Sequence, residues 1–221
     1  MSGLPEGRVV SLQIGLPREM RTASNREWRS AIVKEAVTTP VRLGAENFVG
    51  DYQANRKYHG GPDKAVSFYP MEHYALLGPE LGLPLGPGAM GENLSVTGLP
   101  EERVCIGDTL QIGAARLQVS QPRQPCANVS KRWSAPTLPR RMEETGWTGF
   151  YCRVLEQGDV VAGDTVVVVE RPNPDWSLRR ANDIMYAKLL PVDAAAALRD
   201  VPLLSAEWRR ILSRKLAASA E

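Results

Sequence analysis

The sequence predicts a mainly β protein, a barrel with short inserted helices, followed by a C-terminal segment of three helices. Three observations carry that prediction. Up to about Arg171 the chain is a series of short β-branched runs broken by Gly, Pro and Asp. That punctuation belongs to a barrel or sandwich rather than to alternating βαβ units. Next, Arg171-Pro-Asn-Pro-Asp175 is a stiff boundary, because each proline disfavours helix in the residue before it. Beyond the boundary, apolar residues recur at helical spacing. The expected division is a β domain at 1–171 and a helical segment at 172–221.

The strand candidates in order are Val9 to Ile14, Ala65 to Tyr69, Asn93 to Val96, Thr109 to Ile112, Arg116 to Ser120, Phe150 to Leu155 and Thr165 to Glu170. Arg116 to Ser120 alternates polar and apolar as a half-buried strand does, while Val166 to Val169 is continuous and suits a strand covered on both faces. Met71, Tyr74, Ala75 and Leu77 predict a helix over Met71 to Leu81, and a second is expected from Thr137 to Thr145. Gly-Asp pairs at 107, 158 and 163 mark tight turns into strands. In the tail, Leu178, Ala181, Met185 and Leu189 form one stripe behind a Ser177 or Asp175 cap. A short run, Asp193 to Leu198, is closed off by Pro202. Trp208, Ile211, Leu212 and Leu216 form the last stripe, behind Ser205. Helices this small cannot hold a core alone, so they are expected to dock on the barrel.

Composition removes several function classes. At 43% apolar, the 221-residue chain can bury a core and is not a solvated disordered polymer. The 27 basic and 25 acidic side chains leave a net charge of +2, without the basic footprint of a nucleic-acid or anionic-membrane binder. The first residues lack the basic flank and apolar run of a signal peptide, and no stretch of about 18 apolar residues suggests a membrane span. The odd set Cys105, Cys126 and Cys152 does not read as a disulfide framework, which fits a reducing cytoplasm. Zinc is not expected, since there is no Cys-x-x-Cys pair and His59 and His73 are too far apart for a helical ligand pair. Nothing suggests pyridoxal phosphate binding.

Three segments have residues suited to a site. Gln121-Pro-Arg-Gln-Pro-Cys126 follows a predicted strand, and Pro122 and Pro125 stiffen its backbone. A cysteine placed there, near Arg123 and before a helix starting at Ala127, is suited to a lowered pKa and hence to nucleophilic or metal-ligand chemistry. Cys105 and Cys152 lie in apolar strand text and read as packing residues. The second segment, Asn55 to Lys64, combines Arg56, Lys57, Tyr58, His59 and Lys64 with the flexible Gly60-Gly61 pair. It reads equally as an anion cradle or as a solvated turn. In the third, Gly88 to Leu94, Glu92 and Asn93 at a strand entry could read the N–H edge of a heterocycle. Taken alone, the segment reads better as a strand-initiating turn. Gly146-Trp147-Thr148-Gly149 reads as a surface turn or a core tryptophan rather than a pocket rim. The basic residues of the last helix read as its solvated face.

In this order, Asp51-Tyr-Gln-Ala-Asn-Arg-Lys-Tyr-His59-Gly-Gly-Pro-Asp-Lys64-Ala-Val, Tyr69-Pro-Met-Glu-His73-Tyr, Gly91-Glu-Asn-Leu94 and Val119-Ser-Gln-Pro-Arg123-Gln-Pro-Cys126 resemble the MOSC domain, named for the C-terminal domain of molybdenum-cofactor sulfurases. The resemblance covers about residues 8 to 171. The tail from Asp175 looks like the three-helix appendage of the YiiM-like branch. The resemblance implies a β-barrel with the cysteine loop at one mouth, and Cys126 as the signature cysteine that ligates molybdenum of a pterin cofactor. It further implies reduction of N-hydroxylated compounds such as hydroxylaminopurine-type base analogues, a detoxifying activity. Electrons would come from a separate reductase, because no flavin, haem or iron–sulfur motif is visible. From residue chemistry, His59, Gly60, Gly61, Lys64 and Arg123 are expected to hold the cofactor's phosphate, and Glu92 and Asn93 its pterin N–H groups. Persulfide transfer on Cys126 and non-catalytic cofactor carriage are the competing readings. An oligomer is left open by the apolar stripes of the tail.

Overall fold

A computed structural model describes residues 3–219. The chain opens with β1 (Glu6–Ile14), then β2 (Arg18–Arg21), β3 (Glu27–Ser30), β4 (Glu35–Val37) and β5 (Val41–Leu43). One turn of helix, α1 (Arg56–His59), and a 3-10 turn (Pro62–Lys64) lead into β6 (Val66–Pro70), which passes directly into α2 (Met71–Leu81). There follow β7 (Leu94–Thr97), β8 (Thr109–Ile112), β9 (Ala115–Pro122), α3 (Ala127–Trp133), α4 (Leu138–Thr145), β10 (Phe150–Glu156), β11 (Gly158–Val160) and β12 (Thr165–Glu170). The tail is α5 (Leu178–Met185), α6 (Val192–Arg199) and α7 (Ala206–Ala218).

Seven strands close into a barrel in the order β12-β8-β9-β10-β6-β7-β1, with β1 pairing back onto β12; β4 attaches to β1 outside the ring. Closure leaves those seven strands no open edge. The neighbours are antiparallel except β6 and β7, whose parallel pairing is made possible by the crossover through α2. Two register shifts interrupt the pairing of β9 and β10: the one at Tyr151/Cys152 bends the wall toward the Cys126 end of β9, and the one at Val154/Glu156 lies at the start of that strand. Inside, Phe68 and Phe150 face each other in register and stack with ring centroids 4.8 Å apart.

The expected mainly β barrel with inserted helices and a helical tail is the fold observed, and each predicted strand is present with small shifts at its ends. β2 to β5, β11, α1 and the 3-10 turn were not predicted. β2 and β3 (Arg-Glu-Met-Arg and Glu-Trp-Arg-Ser) form a two-stranded ribbon whose apolar contact is one cross-strand pair, Met20 and Trp28, too little to make a period-2 signal. The first tail helix ends at Met185 rather than reaching Leu189, which is 88% exposed. Pro191 disfavours helix at the preceding residue and helps unwind the chain there.

Ser177 caps α5 by accepting from Arg180 N, and Ser205 caps α7 by accepting from Trp208 N. Leu178, Ala181, Leu198, Trp208 and Leu212 are buried in the same apolar cluster as the barrel's Val119, Phe150 and Val168. Polar ties reinforce the docking: Asn182 Nδ2 donates to Gly146 O and Thr148 Oγ1, and Ser205 N donates to Ser120 O. A second apolar cluster, including Tyr69, Tyr74, Leu77, Met90, Val129 and Met142, packs α2, α3 and α4 together, with Cys126 against its edge. No helix among the described residues is long and apolar enough to cross a membrane.

Candidate functional site

Cys126 owes its position to backbone anchors on both sides. β9 ends at Pro122, and Arg123 N donates to Gly149 O (2.9 Å). Gly149 has φ +71°, and a Cβ there would sit 2.3 Å from Phe68 O, so only glycine lets these strands approach. Downstream, Cys126 is the residue before α3, and α3 is tied down by side chains. Arg132 Nη1 donates to Ile32 O (2.8 Å) and Gly88 O (2.6 Å), and Trp133 Nε1 donates to Ala89 O (2.9 Å). The thiol is therefore held at a fixed point of the barrel mouth.

Cys126 is half-buried and lines a cleft of about 380 Å³. The cleft also receives Arg29, Lys34, His59, Lys64, Asn93 and Arg123, drawn from the β2–β5 region, the α1 loop, the entry to β7 and the end of β9. Its wall is rich in cations. Arg123 Nη2 donates to Met90 O (2.7 Å), but its Nη1 is buried without a partner. Tyr151 lies beside both Arg123 and Lys64, with centroid distances of 5.7 and 5.8 Å. Lys34 forms a buried ion pair with Asp51; burial lowers the lysine's pKa, and the Asp51 carboxylate opposes that shift. Asp51 also accepts from Gly15 N and Asn93 Nδ2, both at 2.9 Å. His59 has its pKa lowered, first by burial and then by the Lys64 and Arg123 charges.

The structure brings Cys126, His59, Lys64, Asn93 and Arg123 to this cleft and leaves three of the expected residues out of its lining. Glu92 is wholly buried and turned inward. Its Oε1 accepts from Tyr74 Oη (2.7 Å), Gly88 N (2.7 Å) and Ser95 Oγ (2.6 Å), and its Oε2 accepts from Met90 N (3.1 Å). Those donors satisfy the carboxylate inside the protein, so it braces the 88–92 loop instead of facing a ligand. Gly60 and Gly61 are also absent from the lining; Gly61, at φ +94°, makes the turn into Pro62–Lys64. Asn93 lines the floor, but its amide is already engaged: Oδ1 accepts from Ser67 N and Oγ, and Nδ2 donates to Asp51 and to Gln13 O. Arg29, Lys34, Asp51 and Tyr151 were given no role from the sequence. Arg29 comes from a strand with no periodicity, Lys34 from the loop before β4, and Asp51 shows its importance only through its spatial partners.

The other two thiols are remote from this chemistry. Cys152 is fully buried, and burial pushes its pKa well up. Cys105 is raised to about 11 by burial and then by Asp108. Trp147 stacks on His73 with centroids 5.1 Å apart and belongs to the packing around α2. Chemically, the cleft offers one soft sulfur ligand beside a donor-rich, cationic wall suited to an anionic group.

Comparison with known proteins gives a consistent pattern. The MOSC domain model matches residues 55–167, and the model described as YiiM-like, 3-alpha helix domain matches residues 176–218. Protein YflK of Bacillus subtilis is 40% identical over 207 residues, covering 94% of this chain and 93% of that protein. A Gibberella moniliformis protein named Reductase is 36% identical over 199 residues, 88% of this chain but 35% of its own length. The crystal structure of YiiM from Geobacillus stearothermophilus superposes with a TM-score of 0.79 at 36% identity, covering 95% of this chain and 99% of that one.

Proposed function

The chain belongs to the MOSC domain family and carries a YiiM-like three-helix domain, and from that premise we propose that it is a molybdenum-cofactor enzyme reducing N-hydroxylated compounds. The observation that carries the reading is the meeting, in one cleft, of the Cys126 thiol with the buried, partnerless Nη1 of Arg123. A buried guanidinium N–H without an acceptor is costly and is satisfied by an anion entering the cleft. The donor set therefore fits the cofactor: a thiolate for molybdenum, and cationic donors for the phosphate of its pterin.

In this reading Cys126 Sγ is the protein ligand to the metal, and Arg123 and Arg29 hold the anionic end, with Lys64 beside them already paired with Glu207. The Lys34–Asp51–Asn93 network keeps the floor rigid. Because Asp51 cancels the Lys34 charge and Glu207 the Lys64 charge, the net positive field comes from Arg123 and Arg29. His59, whose lowered pKa favours the neutral imidazole at pH 7, can accept a proton at the cleft wall. When bound, the molybdenum–pterin group supplies the redox step, in which R–NHOH, two electrons and two protons give R–NH2 and water. The electrons come from a separate reductase.

Molybdenum analysis of protein made in a cofactor-producing host tests this reading, with Cys126→Ala alongside. The expected result is near-stoichiometric metal and hydroxylaminopurine reduction, both lost in the variant. Full activity in Cys126→Ala refutes the mechanism. Metal without turnover identifies a carrier, and absence of metal with a persulfide on Cys126 identifies a sulfur-transfer protein.

A further inference from the structure

Cys126 lies between two cavities. A smaller cavity of about 220 Å³ adjoins the cationic cleft, and the two share His59, Lys64, Cys126 and Tyr151. Its far side differs in chemistry and in origin. Gln121 comes from the end of β9, whereas Glu207 comes from the first turn of α7, in the helical tail. Glu207 forms an ion pair with Lys64, whose Nζ also donates to Tyr58 O (2.7 Å). Lys64 therefore presents no uncompensated charge on this side. Gln121 is 1% exposed; its Nε2 donates to Pro122 O (3.2 Å), but its Oε1 is buried without a partner.

We propose that this smaller cavity is the substrate pocket, that it takes a small uncharged ring system presenting N–H donors, and that Gln121 and Glu207 select that ligand. The unsatisfied Gln121 Oε1 calls for a donor, and the Glu207 carboxylate accepts donors and cancels the Lys64 charge that would otherwise draw an anion. At about 220 Å³ the cavity lies below the ~300 Å³ at which pockets for drug-sized ligands begin, which suits a single heterocycle. The two cavities thus divide the work by charge: the cationic cleft receives the anionic group, and the compensated cavity receives the neutral base. The tail is part of the site, because α7 delivers Glu207. Ala206 N at its start donates to Asp63 (3.3 Å), next to Lys64 in the chain. Calling the occupant the reducible substrate rests on the function proposed above.

The test is equilibrium binding to the full chain, using adenine as a non-reducible free base and purine-6-carboxylate as a charged ring of similar size, with molybdenum content measured on the same preparations. Wild type should bind adenine at least tenfold more tightly than the carboxylate. Gln121→Met should bind adenine about tenfold more weakly, as loss of one hydrogen bond to a buried acceptor implies. Glu207→Gln, a change at a partly exposed position, should narrow the preference for adenine by about tenfold while leaving molybdenum content at the wild-type level. A purely structural role for Glu207 would leave that selectivity unchanged. Equal binding of both ligands by wild type, or unchanged selectivity in Glu207→Gln, overturns the proposal. Adenine binding without molybdenum keeps the pocket and refutes the reductase reading. Molybdenum without adenine binding refutes the pocket and keeps the reading.

Discussion

Replacing Glu92 with Gln separates the ligand contact expected from the sequence from the loop-bracing role seen in the structure. Its two oxygens accept four hydrogen bonds, from Tyr74 Oη, Gly88 N, Ser95 Oγ and Met90 N, and no part of it is exposed. In Glu92→Gln one oxygen becomes an NH2 group that faces donors. A charge-assisted hydrogen bond worth about 1.5–3 kcal/mol is lost, and a buried donor left unsatisfied costs about 1–3 kcal/mol. Relief from burying a charge offsets part of this. The net loss is about 3 kcal/mol, which for a chain of this size lowers Tm by roughly 6–12 °C. Calorimetric unfolding of the variant beside wild type measures it. A carboxylate that only contacts a ligand would behave differently, losing ligand affinity with Tm unchanged. A Tm within about 1 °C of wild type refutes the bracing role.

Four further outcomes follow from other parts of the molecule. At pH 8 a small alkylating agent should modify Cys126 and spare Cys105 and Cys152, since both are buried and burial pushes their pKa values upward; peptide mass spectrometry reads the site. The His59 imidazole should titrate by NMR below its ordinary value of about 6.5 and move toward it in Lys64→Gln. Because its folded pKa is depressed, its stabilising contribution is full above about pH 6.5 and is lost as pH falls through the folded value. Trp208→Ala, at a side chain with no exposed surface in the core shared by barrel and tail, should cost about 3–5 kcal/mol and lower one common unfolding transition in calorimetry. A separate tail transition would refute that shared core. Gly149→Ala places a Cβ against Phe68 O at φ +71° and should lower both Tm and bound molybdenum, because Gly149 O anchors Arg123 N.

What the sequence revealed follows from where each signal resides. β9 and β10 were readable because their alternation is local, and the α5 and α7 starts because Ser177 and Ser205 cap their own helices. The β2–β3 ribbon is mostly exposed and held by its ladder, by surface pairs such as Arg29–Glu19 and by the single apolar pair Met20–Trp28, so its residues had no periodic pattern to show. The site divides in the same way. Cys126, Arg123 and Lys64 stand beside the prolines and glycines that shape their own loops, and those breakers are visible in the sequence. Lys34 and Asp51 meet across seventeen positions, and Lys64 and Glu207 meet only because α7 docks on the barrel. Glu92 misled for a physical reason as well: a carboxylate after glycines reads as a solvated turn or a ligand edge, and its bracing role appears only once α2 brings Tyr74 to it.

These long-range pairs determine the electrostatic pattern around the thiol. Asp51 neutralises Lys34 on the cleft floor, and Glu207 compensates Lys64 from the tail side, leaving Arg123 as the buried cation beside Cys126 with an unused donor. A chain with the same loops but without the tail's carboxylate would carry an unpaired Lys64 charge into both cavities, and anion binding would no longer be confined to the larger one. The three-helix segment therefore contributes to discrimination at the site as well as to the core. That dual role predicts that Glu207→Gln alters ligand preference at nearly unchanged Tm, whereas Trp208→Ala, one residue further along α7, lowers Tm while ligand preference in the folded fraction persists.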